Sequence, residues 1–455
     1  MFVLFATFAT ALGGFLFGYD TAVINGANTY LKSHFLLTSG QVGMAGASAI
    51  LGCIPGAMLA GFLSDRFGRK KLLFFCALLY ALSGILSAVP RTFPEFLAAR
   101  FLSGLGIGAS SMVCPVYIAE IAPERWRGRL GSLFQLAIVT GIFVTLFVNQ
   151  HIQGMGDDAW NASAGWRWML GMEVLPAALF AGLLLPVPES PRWLAQQGQN
   201  EAALDILTKA GGAEHAQKEL AAIRAAMSQE EGRLRELFSR AYSRPLIIAV
   251  ALMIGSQFCG INAIIYYSTE IFESAGALKD AAFTSSVWIG LVNLLFTFVA
   301  IGLVDVAGRR PLLLVGTTVQ ALALGVVGWM FHAGHHGLPL LVCIMVFISA
   351  FAIAMGPIPW ILCSEIFPNK VRGRAMSIAT FTIWTSCYIV AQTFPMLKDS
   401  TAVGPARTFW IYGVVSVLTF LFVWRNVPET KGRTLEQIEG FWQPQKAPEP
   451  SNQSS

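Results

Sequence analysis

The chain has 455 residues, 55% hydrophobic and only 13% charged, with 31 Lys and Arg against 26 Asp and Glu for a net charge of +5. So apolar a composition excludes a soluble domain of this length, and so small a charge excess gives no support to nucleic-acid binding. Twelve apolar stretches of about 20 residues remain, each long enough to cross the hydrocarbon core as a helix. They lie near 2–25, 41–63, 72–89, 94–117, 130–151, 166–187, 245–268, 283–304, 311–331, 338–362, 374–396 and 406–426. The first begins at residue 2 with no basic stretch ahead of it and contains Asp20, so a cleaved signal peptide is not expected.

Between the stretches, three loop patterns occur twice in the same order, about 240 residues apart. Gly61 to Asp65-Arg66-Phe67-Gly68-Arg69 returns as Gly302 to Asp305-Val306-Ala307-Gly308-Arg309. Glu120-Ile121-Ala122-Pro123 to Arg127-Gly128-Arg129 returns as Glu365-Ile366-Phe367-Pro368 to Arg372-Gly373-Arg374, and Pro188-Glu189 as Pro428-Glu429. A unit of six spans is therefore duplicated. The fold expected is an all-α membrane protein of twelve transmembrane helices, its two six-helix halves related by a pseudo-twofold axis, an architecture of rocking transporters. The halves are expected at 1–187 and 245–427, with a linker at 188–244 and a tail at 428–455.

With the N-terminus inside, the inner loops and tail hold 24 of the 31 Lys and Arg. The outer loops hold Lys32, Arg91, Lys279, Lys398 and Arg407, while Arg100 and Arg167 fall within spans. Both termini are then cytoplasmic by the positive-inside rule. The linker carries eight basic and eight acidic residues. Leu204, Ile206 and Leu207 mark one short helix in it, ending at Gly211-Gly212. Leu220, Ile223 and Met227 mark a second, and Leu234, Leu237 and Phe238 a third. The end of the tail, with Pro444, Pro448 and Pro450, reads as disordered. Asn161-Ala162-Ser163 in an outer loop matches a glycosylation triplet, which arises often by chance. The seven cysteines read as buried small hydrophobes. The His332, His335, His336 group has metal-like spacing but no carboxylates beside it and reads as a solvated loop. No metal, cofactor or enzymatic constellation is called for.

Gly and Pro interrupt spans one (Gly13, Gly14, Gly18), four (Gly104, Gly106, Gly108, Pro115), seven (Gly255, Gly260) and ten (Gly356, Pro357, Pro359). Close helix packing explains some of these, but broken helices at matching repeat positions point to a mid-membrane binding site. Polar side chains gather in and around these spans: Gln135, Ser256, Gln257, Asn262 and Asn293, with Trp360 and Trp384. Each could serve helix-to-helix hydrogen bonding alone. As a set, amides and indoles suit an uncharged polyhydroxylated ligand, because amides donate to and accept from hydroxyls while aromatic faces cover C–H faces.

Three charges are expected to be buried well inside spans: Asp20, Arg100 and Glu173. At about 1.5 Å per residue, Asp20 is some 18 residues up a helix that starts inside, and Arg100 and Glu173 are about seven residues down helices that start outside. All three fall at similar depth in the outer half, where an unpaired charge costs about 2.5–3.5 kcal/mol on insertion scales. Two carboxylates and one guanidinium leave one negative charge over, which a proton would neutralise; a purely structural ion pair is the alternative.

The motifs resemble those of the sugar porter family of the major facilitator superfamily across essentially the whole chain. They include Phe17-Gly18-Tyr19-Asp20-Thr21, Tyr117-Ile118-Ala119-Glu120, Pro188-Glu189-Ser190-Pro191-Arg192, Gln257-Phe258-Cys259-Gly260-Ile261-Asn262, Gly356-Pro357-Ile358-Pro359-Trp360 and Pro428-Glu429-Thr430-Lys431-Gly432. The Pro-Glu-Ser-Pro-Arg and Pro-Glu-Thr-Lys-Gly pair is the most specific. The resemblance implies alternating access. It implies a monosaccharide held by Phe17, Gln135, Gln257, Asn262, Asn293, Trp360 and Trp384, with Tyr266 and Tyr267 closing the outer side. It also implies a cytoplasmic clamp drawn from Asp65, Arg69, Glu120, Arg127, Glu189 and Arg192, mirrored by Asp305, Arg309, Glu365 and Arg372. Proton-coupled bacterial and plant members resemble this chain in having Asp where Asp20 stands, whereas animal glucose facilitators usually carry Asn.

The expectation is therefore a bacterial cell-membrane symporter, working as a monomer in the lipid bilayer and carrying a hexose, pentose or inositol with a proton through Asp20, Arg100 and Glu173. A proton-independent facilitator and a transporter-like sensor are the alternatives. The chain departs from the family at Ser256, where many members have a second Gln. It departs again at Ile142 and Ile383, where some xylose–proton symporters are polar.

Overall fold

The computed structural model describes residues 2–227, 234–239, 242–335, 337–433 and 437–438. Among the described residues, twelve helical spans run in chain order. In the first half these are Phe2–His34, Ser39–Phe67, Arg69–Ala88, Phe93–Ile121, Glu124–Gln153 and Asp158–Leu184. In the second half they are Ser243–Ser274, Lys279–Ala307, Arg309–Ala333, Leu338–Glu365, Asn369–Lys398 and Gly404–Asn426. Eleven are long and apolar enough to cross a membrane. Span eleven is equally long at 30 residues but carries Arg372, Arg374, Gln392 and several hydroxyls. Large apolar side chains on many spans face outward, Phe62, Leu179, Trp288 and Val414 among them. In water such a belt would be an aggregation hazard; in a bilayer it meets lipid tails.

The sequence repeat has a structural counterpart. After spans two and eight the chain turns through Gly68 (φ 101°) and Gly308 (φ 89°), each followed at once by the next helix. A side chain at either position would be strained and would meet the carboxylate of Glu189 or Glu429. Within the first half, Gly52 and Gly104 let spans two and four touch backbone to backbone. Across the seam, span two packs on span eleven, span five on span eight and span one on span seven.

Several spans are broken. Span six holds a π-helical turn over Asn161–Gly165 and a further turn at Met172-Glu173 before Val174–Leu184. Span seven breaks at Gly260 (φ 89°) and kinks at Tyr267, whose φ of −129° and ψ of 17° are not helical. Span ten breaks between Leu338–Ile353 and Ile358–Glu365.

In the linker, helices cover Pro191–Gln196, Asn200–Gly211 and Ala213–Met227. The third expected helix is only a 3₁₀ turn, Leu234–Phe238: five residues are too few to nucleate an α-helix without packing on both sides, and Phe238 is exposed. Asn161 does not offer a glycosylation acceptor. Its side chain is fully buried and donates to the carbonyls of Gln153 (2.9 Å) and Gly156 (3.2 Å). The seven cysteines are free, all buried but the half-buried Cys343. The expected disordered end of the tail and His336 lie outside the described residues; the rings of His332 and His335 pack on Trp410 and Trp329.

Candidate functional site

Asp20, Arg100 and Glu173, expected at one depth from three different helices, do meet. Asp20 Oδ1 pairs with Arg100 Nη1, while Arg100 Nη2 donates to the Asp20 backbone carbonyl at 3.0 Å. Asp20 Oδ2 accepts from the hydroxyl of Ser103, one turn beyond Arg100. Glu173 is buried within reach of both charges, and its Oε1 has no hydrogen-bond partner. It sits at the break in span six, at the N-terminus of Val174–Leu184, where the helix dipole favours a negative charge. A guanidinium bonded to the carboxylate and to the backbone carbonyl of one residue, with a second carboxylate beside it that has an unpartnered oxygen, is a group in which one proton changes the charge balance.

The ion pair opens onto a small cavity of ≈ 10 Å³, room for about one water, that spans the seam. Asp20, Thr21, Ile50 and Arg100 line it from the first half, Tyr266 and Trp384 from the second. Trp384 also packs on Phe17 across the seam, ring centroids 5.5 Å apart. In the second half, Gln257 Oε1 accepts from Asn262 Nδ2, Gln257 Nε2 donates to Ser256 Oγ at 3.4 Å, and Asn262 Nδ2 approaches Cys387 Sγ at 3.1 Å. The structure thus joins Ser256, Gln257 and Asn262 into one chain of contacts. It brings Phe17, Trp384 and Tyr266 to the cavity. Gln135, Asn293 and Trp360 lie on spans five, eight and ten with no side-chain hydrogen bond to a described residue; Gln135 and Trp360 are half-buried and Asn293 is buried.

The face opposite the basic loops is closed by bonds across the seam. At the kink in span seven the carbonyls of Ile265 and Tyr266 accept from Asn25 (2.7 Å) and Asn28 (3.3 Å) of span one. Asn25 also bonds Ser268 and Thr269, and both of these bond Ser286. Tyr267 donates to the Ala391 carbonyl at 2.9 Å, and its hydroxyl stands where a side chain on Gly46 of span two would go. Further out, Asp399 accepts from Ser39 at 2.6 Å and pairs with Lys32 at 3.7 Å, while Lys279 pairs with Asp158 at 2.9 Å. Burial pushes the Asp399 carboxyl up. The hydrogen bonds of Lys398 and Ser39, with the charges of Lys398 and Lys32, outweigh it and hold the group below its usual range.

On the basic face the charged motifs gather within each half. Arg69 pairs with Asp65 (2.9 Å) and Glu120 (3.1 Å). Glu189 caps the backbone N–H groups of Arg69 (2.8 Å) and Lys70 (3.0 Å), and Ser190 donates to Glu120. In the second half Arg309 pairs with Asp305 (3.2 Å) and Glu365 (3.0 Å). Glu429 caps Arg309 (3.1 Å) and Arg310 (3.0 Å), and Thr430 donates to Glu365 at 2.6 Å. Arg127 is drawn elsewhere, to Glu219 of the linker at 3.0 Å. Arg192 is exposed, and Arg372 donates to the Phe367 carbonyl. Ser103, Asn25, Asn28, Ser190, Glu429 and Thr430 were not among the expected site residues. Ser190, Glu429 and Thr430 lie within the paired Pro-Glu motifs and Ser103 lies three residues after Arg100, whereas Asn25 and Asn28 left no signal in the sequence.

A family model described as "Sugar (and other) transporter" matches residues 6–442. The chain belongs to that family. Among sugar transporter relatives, it is 42% identical over 443 residues to the arabinose-proton symporter of Bacillus subtilis (strain 168), covering 97% of this chain and 95% of that one. It is 39% identical over 472 residues to the D-xylose-proton symporter of Escherichia coli (strain K12), covering 96% and 95%. A partially occluded inward-open structure of the xylose transporter XylE from E. coli aligns with a TM-score of 0.86 at 37% identity, over 95% of this chain and 99% of that one. The structure of the proton:xylose symporter XylE bound to 6-bromo-6-deoxy-D-glucose aligns at 0.82 and 38% identity, over 97% and 99%. The twelve-helix major facilitator fold of this sugar transporter family is therefore that of the chain.

Proposed function

We propose that this chain is a secondary active transporter that imports a monosaccharide together with a proton by alternating access. The observation that carries the reading is the buried Asp20–Arg100 pair with Glu173 unsatisfied beside it, opening through a cavity toward Trp384 and Tyr266. A proton on this group removes the excess negative charge, so the loaded site can pass through an occluded state that the unprotonated one reaches only at a cost. Asp20, Arg100 and Glu173 carry the proton. Phe17, Gln135, Ser256, Gln257, Asn262, Asn293, Trp360 and Trp384 hold the sugar: amides take its hydroxyls and indoles its C–H face. The half-exposed Gln135 amide and the buried amide of Asn293 have no protein hydrogen-bond partner among the described residues and are left for a ligand. Relatives that carry arabinose and D-xylose with a proton support the substrate class and the coupling.

The basic face is cytoplasmic in this reading, with both termini inside a bacterial cell membrane and the monomer as the working unit. The closed opposite face then makes the conformation inward-facing, in keeping with the likeness to an inward-open structure. Tyr266 and Tyr267 form the outer gate. Asp65, Arg69, Glu120, Arg127, Glu189 and Arg192, with Asp305, Arg309, Glu365 and Arg372, form the clamp that re-pairs when the inner faces meet.

Uptake of labelled arabinose, xylose, glucose, galactose and inositol into proteoliposomes, with and without an imposed pH gradient, tests the reading. Gradient-driven accumulation of at least one monosaccharide is expected. Equilibration without accumulation would favour a facilitator, and no movement of any of them would overturn the proposal.

A further inference from the structure

Asp20 is held by more than its ion pair. Arg100 takes Oδ1 and the backbone carbonyl, and the remaining oxygen, Oδ2, accepts from Ser103. Ser103 is completely buried on span four. Its neighbour Gly104 lets span four lie directly on Ala49 and Gly52 of span two. In that packing the hydroxyl has no bulk water to turn to, and the carboxylate is its partner.

We propose that Ser103 is a positioning residue of the proton site, whose hydroxyl donates to ionised Asp20 and so sets the pH at which the carrier takes up its proton. This rests on the reading of Asp20 as the coupling group. A hydroxyl can donate or accept, so Ser103 can also turn to accept from the protonated acid. A hydrogen bond to an ionised acceptor is about twice as strong as one between neutral partners, so on balance Ser103 favours the charged form.

The other titratable groups that face Asp20 are Arg100 on span four, Glu173 on span six, Tyr80 on span three, Cys53 on span two and Tyr266 on span seven; span five, which also packs on span one, has no Asp, Glu, His, Lys, Arg, Cys or Tyr over residues 130–150. Arg100 acts in the same sense as Ser103 and Glu173 in the opposite sense. The phenols and the thiol belong to types that stay uncharged near neutral pH. All of them remain when Ser103 is changed, so an effect at this position is read against a fixed background.

The experiment is the pH profile of gradient-driven sugar uptake by full-length protein in proteoliposomes, with counterflow measured in parallel to normalise for active protein. Ser103→Ala removes the donor at almost no change in volume. The pH of half-maximal uptake is expected to rise by about one unit, as loss of one hydrogen bond to a charged group implies. Ser103→Thr, which restores a hydroxyl, should bring the profile back toward wild type. A packing role alone would scale the whole profile down without moving it, and that result, or a Ser103→Ala profile superimposable on wild type, overturns the proposal. Asp20→Asn separates this failure from that of the parent reading. Accumulation lost in Asp20→Asn with no shift in Ser103→Ala removes only the Ser103 assignment. Accumulation retained in Asp20→Asn removes the coupling role of Asp20, and that of Ser103 with it.

Discussion

The two halves repeat at their rims and differ in their interiors. On the basic face each half presents the same device: Gly68 and Gly308 with positive φ, Arg69 and Arg309 each paired with two carboxylates, and Glu189 and Glu429 each capping the start of the next helix. Inside, the first half carries Asp20, Arg100 and Glu173. Residues 246–267, 338–364 and 408–423 of the corresponding spans in the second half contain no Asp, Glu, Lys or Arg. There Ser256, Gln257 and Asn262 stand instead, with Asn293 on the neighbouring span eight. A duplicated rim suits a motion in which both halves rock alike. In the proposed reading, the unequal interior divides the two cargoes, the proton with the first half and the hydroxyl-rich solute mainly with the second.

The largest expected effect breaks that division at its charged end. Asp20→Asn keeps the shape of the site and lets Arg100 and Ser103 keep a partner, but removes the group proposed to take the proton. Uphill accumulation in energised vesicles should fall to equilibration, a concentration ratio of about 1, while sugar counterflow continues. Counterflow lost along with accumulation would mean instead that Asp20 holds the helices together.

The amide end comes next. Gln257→Ala leaves Asn262 with only the Cys387 sulfur as acceptor and takes away one arm of the proposed sugar site. Loss of one or two hydrogen bonds in a buried site costs about 1–3 kcal/mol, so sugar affinity should weaken about tenfold or more while the pH profile of uptake stays in place. Wild-type affinity in this variant would exclude Gln257 from the pocket, and a moved pH profile would show that the two interiors are not separate.

Much of this contrast was legible in the sequence, for identifiable reasons. The repeat shows because rim charges and glycines are fixed by one local geometry used twice. The Asp20, Arg100 and Glu173 cluster shows because a helix converts residue number into depth. What was hidden lies between elements. The break at Glu173 had a local sign, since Pro176 has no N–H for the Met172 carbonyl and Gly171 stands just before. The kink at Tyr267 had none: its carbonyls are met by Asn25 and Asn28 from the other half, a tertiary contact that no pattern within span seven encodes. The amphipathic pattern at Leu234–Phe238 misled because three apolar residues in five fit a helix of any kind.

The gate offers a smaller effect that sharpens the comparison, because it joins the halves. Asn25→Ala removes bonds to Ile265, Ser268 and Thr269 across the closed face. A net loss of about 1 kcal/mol would shift the equilibrium toward the state open on that face by about fivefold. A single cysteine placed at Ser39 in a cysteine-free background should then be labelled faster by an impermeant thiol reagent, and an unchanged rate would show that these bonds do not hold the face shut.

The smallest effect tests whether the repeated rims are equivalent. Burial raises the Glu429 carboxyl, but the backbone N–H groups of Lys431, Arg309, Arg310 and Thr430 outweigh it, leaving the group below its ordinary 4.5. A carboxyl lowered by folding contributes stability that is present above the unfolded value and is lost as pH falls through the folded one. The wild type should therefore melt higher than Glu429→Gln at pH 7, and the gap should close as the pH falls below the ordinary 4.5 and through the lowered folded value. The carboxylate is partly solvated, so the gap should correspond to less than about 1 kcal/mol. Glu189 makes the matching bonds to Arg69 and Lys70. If Glu189→Gln narrows the gap over the same pH range, the two rims contribute alike; if only one of the variants does, the duplication has been kept in shape and lost in energy.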